Sequence, residues 1–148
     1  MCGPFPPSFS GARYFYTFND SHFRRTVVAI LKHKREVFNK FKVFEATATK
    51  EIGLIKVFQS DPAGEYTSKA FLQFLQSKGI KRQNTDPGTP EQNSLAERRG
   101  GLLVMMASSM LHHSNLSPSF WAEAISSACF ILNRAPTKAL GTLTPEEV

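Results

Sequence analysis

Two acidic residues, Asp61 and Glu97, occupy positions where a carboxylate could bind a metal ion or take part in acid–base chemistry. Asp61 follows a predicted strand, at the end where open α/β sheets place their functional groups. Glu97 lies in the first turn of a predicted long helix whose apolar stripe includes Met106. Because each helical residue turns by roughly 100°, Glu97 is about 180° from Met106 and is expected to face away from the core. The pattern therefore predicts two surface-directed carboxylates with 35 residues between them.

Each of these residues also has an ordinary structural explanation. Asp61 precedes Pro62 and has Gly64 at the fourth position, a pattern that is typical of a type I turn. A Glu in the first turn of a helix complements the helix dipole. Taken alone, the residue types favour these structural roles. A functional pair requires a further link between the two positions.

The composition indicates one globular domain. Of the 148 residues, 41% are hydrophobic and 13 are Phe, which excludes a disordered chain, a collagen and a coiled coil. No apolar run reaches the roughly 18 residues of a membrane-spanning helix, and residues 1–10 lack the pattern of a secretory signal peptide. The two cysteines, Cys2 and Cys129, are too few for a disulfide scaffold and indicate a reducing compartment. The net charge of +6 is compatible with a polyanionic partner, although solubility alone also explains it.

Strand-like and helix-like patterns alternate along the chain, which predicts an α/β domain with a mixed sheet. Aromatic and β-branched residues predict a hairpin of strands at 13–18 and 26–31, with a turn at 19–21. Apolar residues at three- and four-residue spacing predict helices. After the hairpin, the predicted order is a helix at 33–50, a strand at 54–58, a helix from Thr67 or Ser68 to Gly79, a strand at 80–85, and helices at 94–113 and 117–133.

Short motifs supply the link between Asp61 and Glu97. Ser60-Asp-Pro-Ala-Gly-Glu-Tyr-Thr-Ser68 resembles the segment S-D-N-G-G-E-Y-T-S of retrotransposon integrases, and Thr89-Pro-Glu-Gln-Asn-Ser-Leu-Ala-Glu-Arg-Arg99 resembles T-P-Q-Q-N-G-V-A-E-R-K. Further similar motifs are Cys2-Gly-Pro4, Gly11-Ala-Arg-Tyr-Phe15, Ser119-Phe-Trp-Ala-Glu-Ala124 and Leu132-Asn-Arg-Ala-Pro-Thr-Lys138. In their order and spacing, these motifs resemble the catalytic core of copia-type retrotransposon integrases over nearly the whole chain.

The resemblance implies a ribonuclease-H-like fold, an α/β architecture whose mixed sheet is flanked by helices and whose first strand is truncated here. Residues 1–133 would form the catalytic core, lacking most of that strand, and residues 134–148 a linker toward a missing C-terminal region. The implied activity is DNA integration by metal-dependent cleavage and transfer of phosphodiesters, with a D,D-35-E set of carboxylates. Asp61 and Glu97 would each hold a Mg²⁺ or Mn²⁺ ion, since these hard cations prefer oxygen ligands.

The resemblance also implies partners and a location. DNA is the expected partner, with a homo-oligomeric protein, no membrane association and the nucleus as its compartment. Basic side chains neutralise DNA phosphates without reading sequence, although a solvated surface explains most runs of Lys and Arg. The residues expected to contact DNA are Arg98, Arg99, Lys81, Arg82 and Asn93.

The third carboxylate of the family is missing from this sequence. In the family's opening D-x-C-G-P, the Asp stands two residues before the Cys, and that position falls one residue before Met1. Asp20 lies in a segment that resembles the family's hairpin turn, so we interpret it as a turn former. The resemblance therefore implies an impaired two-ion site and little or no strand transfer by this chain. Loss of the first strand is also expected to expose the edge of its neighbour.

Two other functions stay open. One is a non-catalytic, nucleic-acid-binding or oligomerising relic of an integrase. The other is a nuclease of the same fold, which the integrase-like motif Asn133-Arg-Ala-Pro136 disfavours. Pro62 and Ala63 replace the Asn and Gly of the family motif, and Gly100 and Gly101 fall inside a predicted helix, where each costs about 1 kcal/mol relative to Ala. These departures are expected to weaken the wall of the active site.

Overall fold

The computed structural model describes residues 1–51, 53–60, 68–84 and 90–148, and for residues 84 and 90–95 it describes the backbone alone. Two units are distinguished by their internal packing. Unit 1 consists of Met1–His33 together with Ala96–Val148, and unit 2 consists of Lys34–Leu95. Glu97 therefore belongs to unit 1, whereas Asp61 falls within the range of unit 2 and lies outside the described residues.

Unit 1 contains the predicted hairpin. Strand β1 (Tyr14–Asn19) pairs antiparallel with β2 (Thr26–Leu31), in a register that places Asn19 opposite Thr26. Both strands are rich in the aromatic and β-branched residues that favour a pleated, half-buried surface. The predicted bounds are confirmed for β2 and differ by one residue for β1.

The turn of the hairpin depends on Asp20. Its Oδ1 accepts hydrogen bonds of 2.7 Å from the backbone N–H groups of both His22 and Phe23, and its own N–H donates to the carbonyl oxygen of Arg25 at 2.8 Å. An Asp side chain that binds the backbone two and three residues on is a common way to close a turn. This confirms the interpretation of Asp20 as a turn former. Arg24, near the end of the same turn, has a positive φ of 59°.

The N-terminal segment covers part of the second edge of β1. Cys2 and Phe15 exchange both backbone hydrogen bonds, at 3.0 and 3.1 Å, and the N–H of Phe5 donates to the carbonyl of Arg13 at 2.8 Å. The N-terminal segment thus forms a short antiparallel bridge with β1. The expectation that this edge is exposed is wrong for the carbonyl of Arg13 and for both backbone groups of Phe15, because these groups bind the N-terminal segment.

Helix α4 (Trp121–Asn133) and the part of helix α3 (Pro90–His113) from Ala96 onward complete unit 1. Helix α3 (Pro90–His113) begins four residues before the predicted start, because Pro90 is well suited to a first helical position, where its missing N–H needs no partner. Its side chains are described from residue 96 onward. A 3-10 turn at Pro118–Phe120, capped by Ser117, precedes α4 (Trp121–Asn133), so the predicted single helix over 117–133 is divided in two.

The core of unit 1 lies among β1, α3 and α4. Phe15 and Leu103 are fully buried, and the indole N–H of Trp121 donates a hydrogen bond of 2.9 Å to the carbonyl of Pro6. This bond holds the Pro-rich N-terminal segment against α4. The other buried members of the cluster are small or aliphatic, namely Ala12, Ala107, Ala122, Ala124, Ile125, Ala128 and Cys129.

Unit 2 contains a parallel pair of strands. β3 (Val57–Ser60) pairs with β4 (Lys81–Asn84), with Ser60 opposite Asn84. The predicted strand at 54–58 thus begins three residues later. Leu54, which the prediction included in this strand, lies outside it and is 75% exposed.

The helices of unit 2 follow their sequence signals closely. α1 (Val37–Glu51) is preceded by a 3-10 turn at Lys34–Glu36, and α2 (Lys69–Ser77) begins after Ser68, whose Oγ accepts a hydrogen bond of 3.3 Å from the N–H of Phe71. Ser68, one of the two predicted caps, is therefore confirmed in that role.

The core of unit 2 is built from phenylalanines. The ring of the fully buried Phe41 lies 4.7 Å from that of Phe58 and 5.2 Å from that of Phe71, between centroids. Beside them, the buried carboxylate of Glu45 forms an ion pair of 3.0 Å with Lys78, which joins α1 to the end of α2. Close packing of aromatic rings accounts for much of the burial that a small unit can achieve.

The described elements confirm an α/β fold with both pairing directions. The antiparallel pair belongs to unit 1 and the parallel pair to unit 2, as separate two-stranded sheets. At the C-terminal end, a 3-10 turn spans Lys138–Leu140 and Arg134 forms an ion pair of 3.3 Å with Glu146. The assignment of residues 1–133 to the core and 134–148 to a linker stays a prediction.

Candidate active site and nucleic-acid interface

Glu97 presents an open carboxylate on helix α3. The helix begins at Pro90, so Glu97 lies about two turns inside it rather than in its first turn. The helix dipole acts mainly within the first turn, so an interaction with the dipole does not explain the presence of Glu97. The side chain is exposed, as predicted, and among the described residues it has no hydrogen-bond or ion-pair partner. Its oxygens are thus free to accept from, or coordinate, a group outside the described part of unit 1.

Asp61 is the other predicted carboxylate, and it lies outside the described residues. What the structure describes is the strand before it. β3 ends at Ser60, which is buried and pairs with β4 in parallel. The prediction that Asp61 follows a strand agrees with this end point, and its role as a metal ligand stays a prediction.

The basic residues of β4 differ in exposure. Lys81 is exposed, and its backbone N–H donates to the carbonyl of Lys56 at 2.9 Å. Arg82 is half-buried, and its Nε donates a long hydrogen bond of 3.5 Å to the Oγ of Ser60. Lys81 therefore has its charge in solvent, whereas one donor of Arg82 is used in the hydrogen bond to Ser60 of β3.

The two arginines that follow Glu97 differ in the same way. Arg98 is exposed, whereas Arg99 is half-buried and its Nη1 donates a hydrogen bond of 3.1 Å to the Oγ1 of Thr26. Burial lowers the pKa of the Arg99 guanidinium, and the positive charge of Arg24 lowers it further. Asn93 belongs to the part of α3 that is described by its backbone alone. Contact of any of these residues with DNA stays a prediction.

Sequence reasoning missed a buried polar network around Thr26. The Nδ2 of Asn133 donates to the carbonyl of Thr26 at 2.7 Å, and the N–H of Thr26 donates back to the Oδ1 of Asn133 at 2.9 Å. The Cys129 thiol donates to the same carbonyl at 3.2 Å, and the Thr26 hydroxyl donates to the Oδ1 of Asn19 at 3.0 Å. The sequence feature that could have indicated this network is an Asn on the apolar face of α4, within the motif Leu132-Asn-Arg-Ala-Pro136. This network fastens α4 to the beginning of β2.

Gly100 and Gly101 have different structural roles. Gly100 is buried, and a Cβ added there would lie 3.0 Å from the Sγ of Cys2. A Cβ added to Gly101 would meet nothing within 4 Å among the described atoms. The interpretation of both glycines as a weakening of the site is therefore corrected for Gly100, which lets α3 approach Cys2 of the N-terminal segment closely.

The described residues contain no group of three or more His, Cys, Asp and Glu side chains that could together hold a metal ion. A site that uses Asp61 includes a residue outside the described ranges. Within the described residues, no helix has the length and apolar character needed to cross a membrane.

The chain is similar to segments of plant transposon polyproteins. It is 42% identical over 150 residues to the retrovirus-related Pol polyprotein from transposon TNT 1-94 of Nicotiana tabacum, a match that covers 100% of this chain and 11% of that protein. It is 31% identical over 139 residues to the retrovirus-related Pol polyprotein from transposon RE2 of Arabidopsis thaliana, covering 93% of this chain and 9% of that protein. The chain thus spans about a tenth of the length of these relatives. No protein-family model matches it.

The fold is similar to that of solved retroviral proteins. The catalytic core domain of HTLV-2 integrase, in complex with magnesium and in trimeric form, aligns with a TM-score of 0.70 at 19% identity. The alignment covers 95% of this chain and 88% of that one. The chain thus has the ribonuclease-H-like fold that integrase catalytic cores adopt. The homologues are retrovirus-related Pol polyproteins of plant copia-type transposons, and the chain is similar in sequence to a segment of each. This confirms the resemblance and the fold that it implied.

Proposed function

We propose that the chain serves as the catalytic core of a retrotransposon integrase, which joins DNA ends by metal-dependent phosphodiester transfer with Asp61 and Glu97 as metal-binding carboxylates. The observation that carries this proposal is the exposed Glu97 carboxylate on α3, which has no partner among the described residues, in a chain with an integrase-core fold.

The residues of the proposed site suit Mg²⁺ or Mn²⁺. Both cations prefer carboxylate oxygens over the nitrogen and sulfur ligands of His and Cys. Glu97 offers such oxygens at the surface of unit 1, and Asp61, which follows Ser60 in the sequence, is a residue of the same chemical type. When bound, a pair of divalent ions activates the attacking oxygen and stabilises the leaving oxygen of an in-line displacement at phosphorus. The HTLV-2 integrase core was solved in complex with magnesium, which supports this choice of metal.

The other residues of the proposed site hold and orient DNA. Arg98 and Lys81 are exposed and can neutralise backbone phosphates, and Arg82 and Arg99 add positive charge from half-buried positions. The net charge of +6 agrees with a polyanionic substrate. We propose Asn93 as a further DNA contact because it stands four residues before Glu97 on the same helix. Assembly as a homo-oligomer and action in the nucleus belong to the same proposal.

A polypeptide of only these 148 residues holds two of the three carboxylates that the resemblance implies. We therefore propose that it transfers strands poorly, because Asp61 and Glu97 alone would hold divalent cations less tightly than three carboxylates would. The alternative is a non-catalytic domain that binds nucleic acid or oligomerises.

The proposal is tested by Mg²⁺- or Mn²⁺-dependent joining of a labelled DNA end. Three proteins are compared: the 148-residue chain, a chain extended by a segment with Asp two residues before Cys2, and the extended chain with Glu97→Gln. We expect joining by the extended chain alone. The control is Glu123→Gln in the extended chain, because Glu123 is an exposed carboxylate of α4 outside the proposed site. Joining by the Glu97→Gln variant contradicts the proposed site. An inactive extended chain that still binds DNA supports the non-catalytic alternative.

A further inference from the structure

The start of β2 lies beside two arginines from distant parts of the chain. Thr26 is only 1% exposed, and its hydroxyl accepts the hydrogen bond of 3.1 Å from the Nη1 of Arg99, a residue of α3. Arg24 lies two residues before Thr26, near the end of the hairpin turn. The chain connection and the Arg99–Thr26 bond therefore bring both arginines to one end of the hairpin. We call Arg24, Thr26 and Arg99 the hairpin-end cluster.

The two arginines of this cluster form no ion pair with a described carboxylate. The charge of Arg24 destabilises the protonated guanidinium of Arg99, which agrees with their proximity. Asp20, in the same turn, directs its Oδ1 to two backbone N–H groups. Two half-buried like charges repel each other, and an anion bound beside them would lower the energy of the folded chain.

The backbone of Arg24 gives a second, independent reason to look for a ligand. Its φ of 59° lies in the left-handed region, where Gly and Asn are favoured and a long side chain is strained. The turn itself is closed by Asp20 and requires no Arg at this position. The turn thus explains the backbone conformation of residue 24, but it does not explain why this residue is an arginine.

We propose that Arg24 and Arg99 together bind one phosphate of a DNA backbone at the end of the hairpin. This inference rests on the proposed function, in which DNA is the partner. A guanidinium carries five N–H donors in a planar fork, so Arg99 can bind Thr26 with one and retain others for phosphate oxygens. Thr26 orients Arg99 in this arrangement, and Arg24 supplies the second cation from the turn. The site contributes affinity and positioning, and it reads no base sequence.

The test uses Arg24→Asn in the 148-residue chain and measures binding of a fluorescent blunt duplex over a range of salt concentrations. Asn removes the charge and tolerates the left-handed conformation, so the thermal midpoint is expected to stay unchanged or rise. Loss of one phosphate contact lowers the slope of log K against log salt by about 0.9 and weakens binding about eightfold at 0.1 M salt. The control is Lys138→Gln, which removes one charge from an exposed residue of unit 1. It is expected to change the slope less.

A second variant separates geometry from charge. Arg99→Lys keeps the charge but lacks the planar fork, so we expect weaker DNA binding at an unchanged net charge. If Arg99→Lys unfolds, Arg24→Asn alone decides the question.

The outcomes separate this inference from the proposed function. If the unchanged chain binds no DNA, both fail. If it binds DNA and Arg24→Asn has no more effect than Lys138→Gln, the hairpin-end cluster is not a DNA site, while the proposed function stands. A parallel arm measures the thermal midpoint with inorganic phosphate at constant ionic strength. Stabilisation by phosphate that Arg24→Asn abolishes, with an unchanged DNA slope, overturns the assignment to DNA in favour of a free phosphate.

Discussion

Replacing Asn133 with Ala should destabilise unit 1 by about 3 kcal/mol. The side chain is 7% exposed and makes paired hydrogen bonds to the backbone of Thr26. Its removal leaves the buried N–H of Thr26 without a partner, which costs about 2 kcal/mol. The Thr26 carbonyl keeps the Cys129 thiol as a donor at 3.2 Å, so loss of the second bond costs only about 1 kcal/mol. For a chain of this size, the sum corresponds to a fall in the melting temperature of about 6–12 °C.

The measurement is urea unfolding followed by the fluorescence of Trp121, the single tryptophan of the chain, which is buried at the start of α4. Since Trp121 belongs to unit 1, the signal reports the unit that contains the Asn133 bonds. The matched control is Ser127→Ala, which truncates an exposed polar side chain of the same helix and should change the free energy of unfolding by less than about 0.5 kcal/mol. A loss below about 1 kcal/mol for Asn133→Ala refutes the view that this network fastens α4 to β2.

Two further predictions concern α3 and the thiol of α4. Gly101→Ala should raise the free energy of unfolding by up to about 1 kcal/mol, because its Cβ enters open space, whereas Gly100→Ala should gain less, since its Cβ lies 3.0 Å from the Cys2 Sγ. Equal gains in the same urea assay contradict the packing role of Gly100. Burial raises the pKa of the Cys129 thiol, so the folded state keeps this proton after the unfolded chain has released it. The resulting stability is complete below the ordinary thiol pKa of about 8.5 and is lost as pH rises toward the folded value. Cys129→Ser should therefore flatten the decline in unfolding free energy above about pH 8.5, and an unchanged slope counts against it.

Features that depend on neighbouring residues were predictable from the sequence. The bounds of β2, the turn formed by Asp20 and the cap formed by Ser68 all agree with their predictions. Each depends on a side chain that meets backbone groups two or three residues away, or on the β propensity of a short segment. Such interactions are nearly the same in any fold, so their residue patterns carry the information.

The errors arose where a second element decides the outcome. The strand predicted at 54–58 became Val57–Ser60, because pairing with β4 selects which residues extend. The predicted start of α3 was four residues late, and this error alone supported a dipole role for Glu97. Exposure of Glu97 was nevertheless predicted correctly, since helical periodicity does not depend on where the helix begins.

By itself, the sequence determined the family resemblance, the order of elements and the candidate carboxylates Asp61 and Glu97, since these are recorded in residue types and spacing. Only the tertiary structure decided that Thr26 accepts from Arg99 and pairs with Asn133, residues 73 and 107 positions away. It also decided that Gly100 packs against Cys2. The physical reason is that buried polar groups must find partners wherever folding places them, and a pair so distant in the chain leaves no periodic pattern in the sequence.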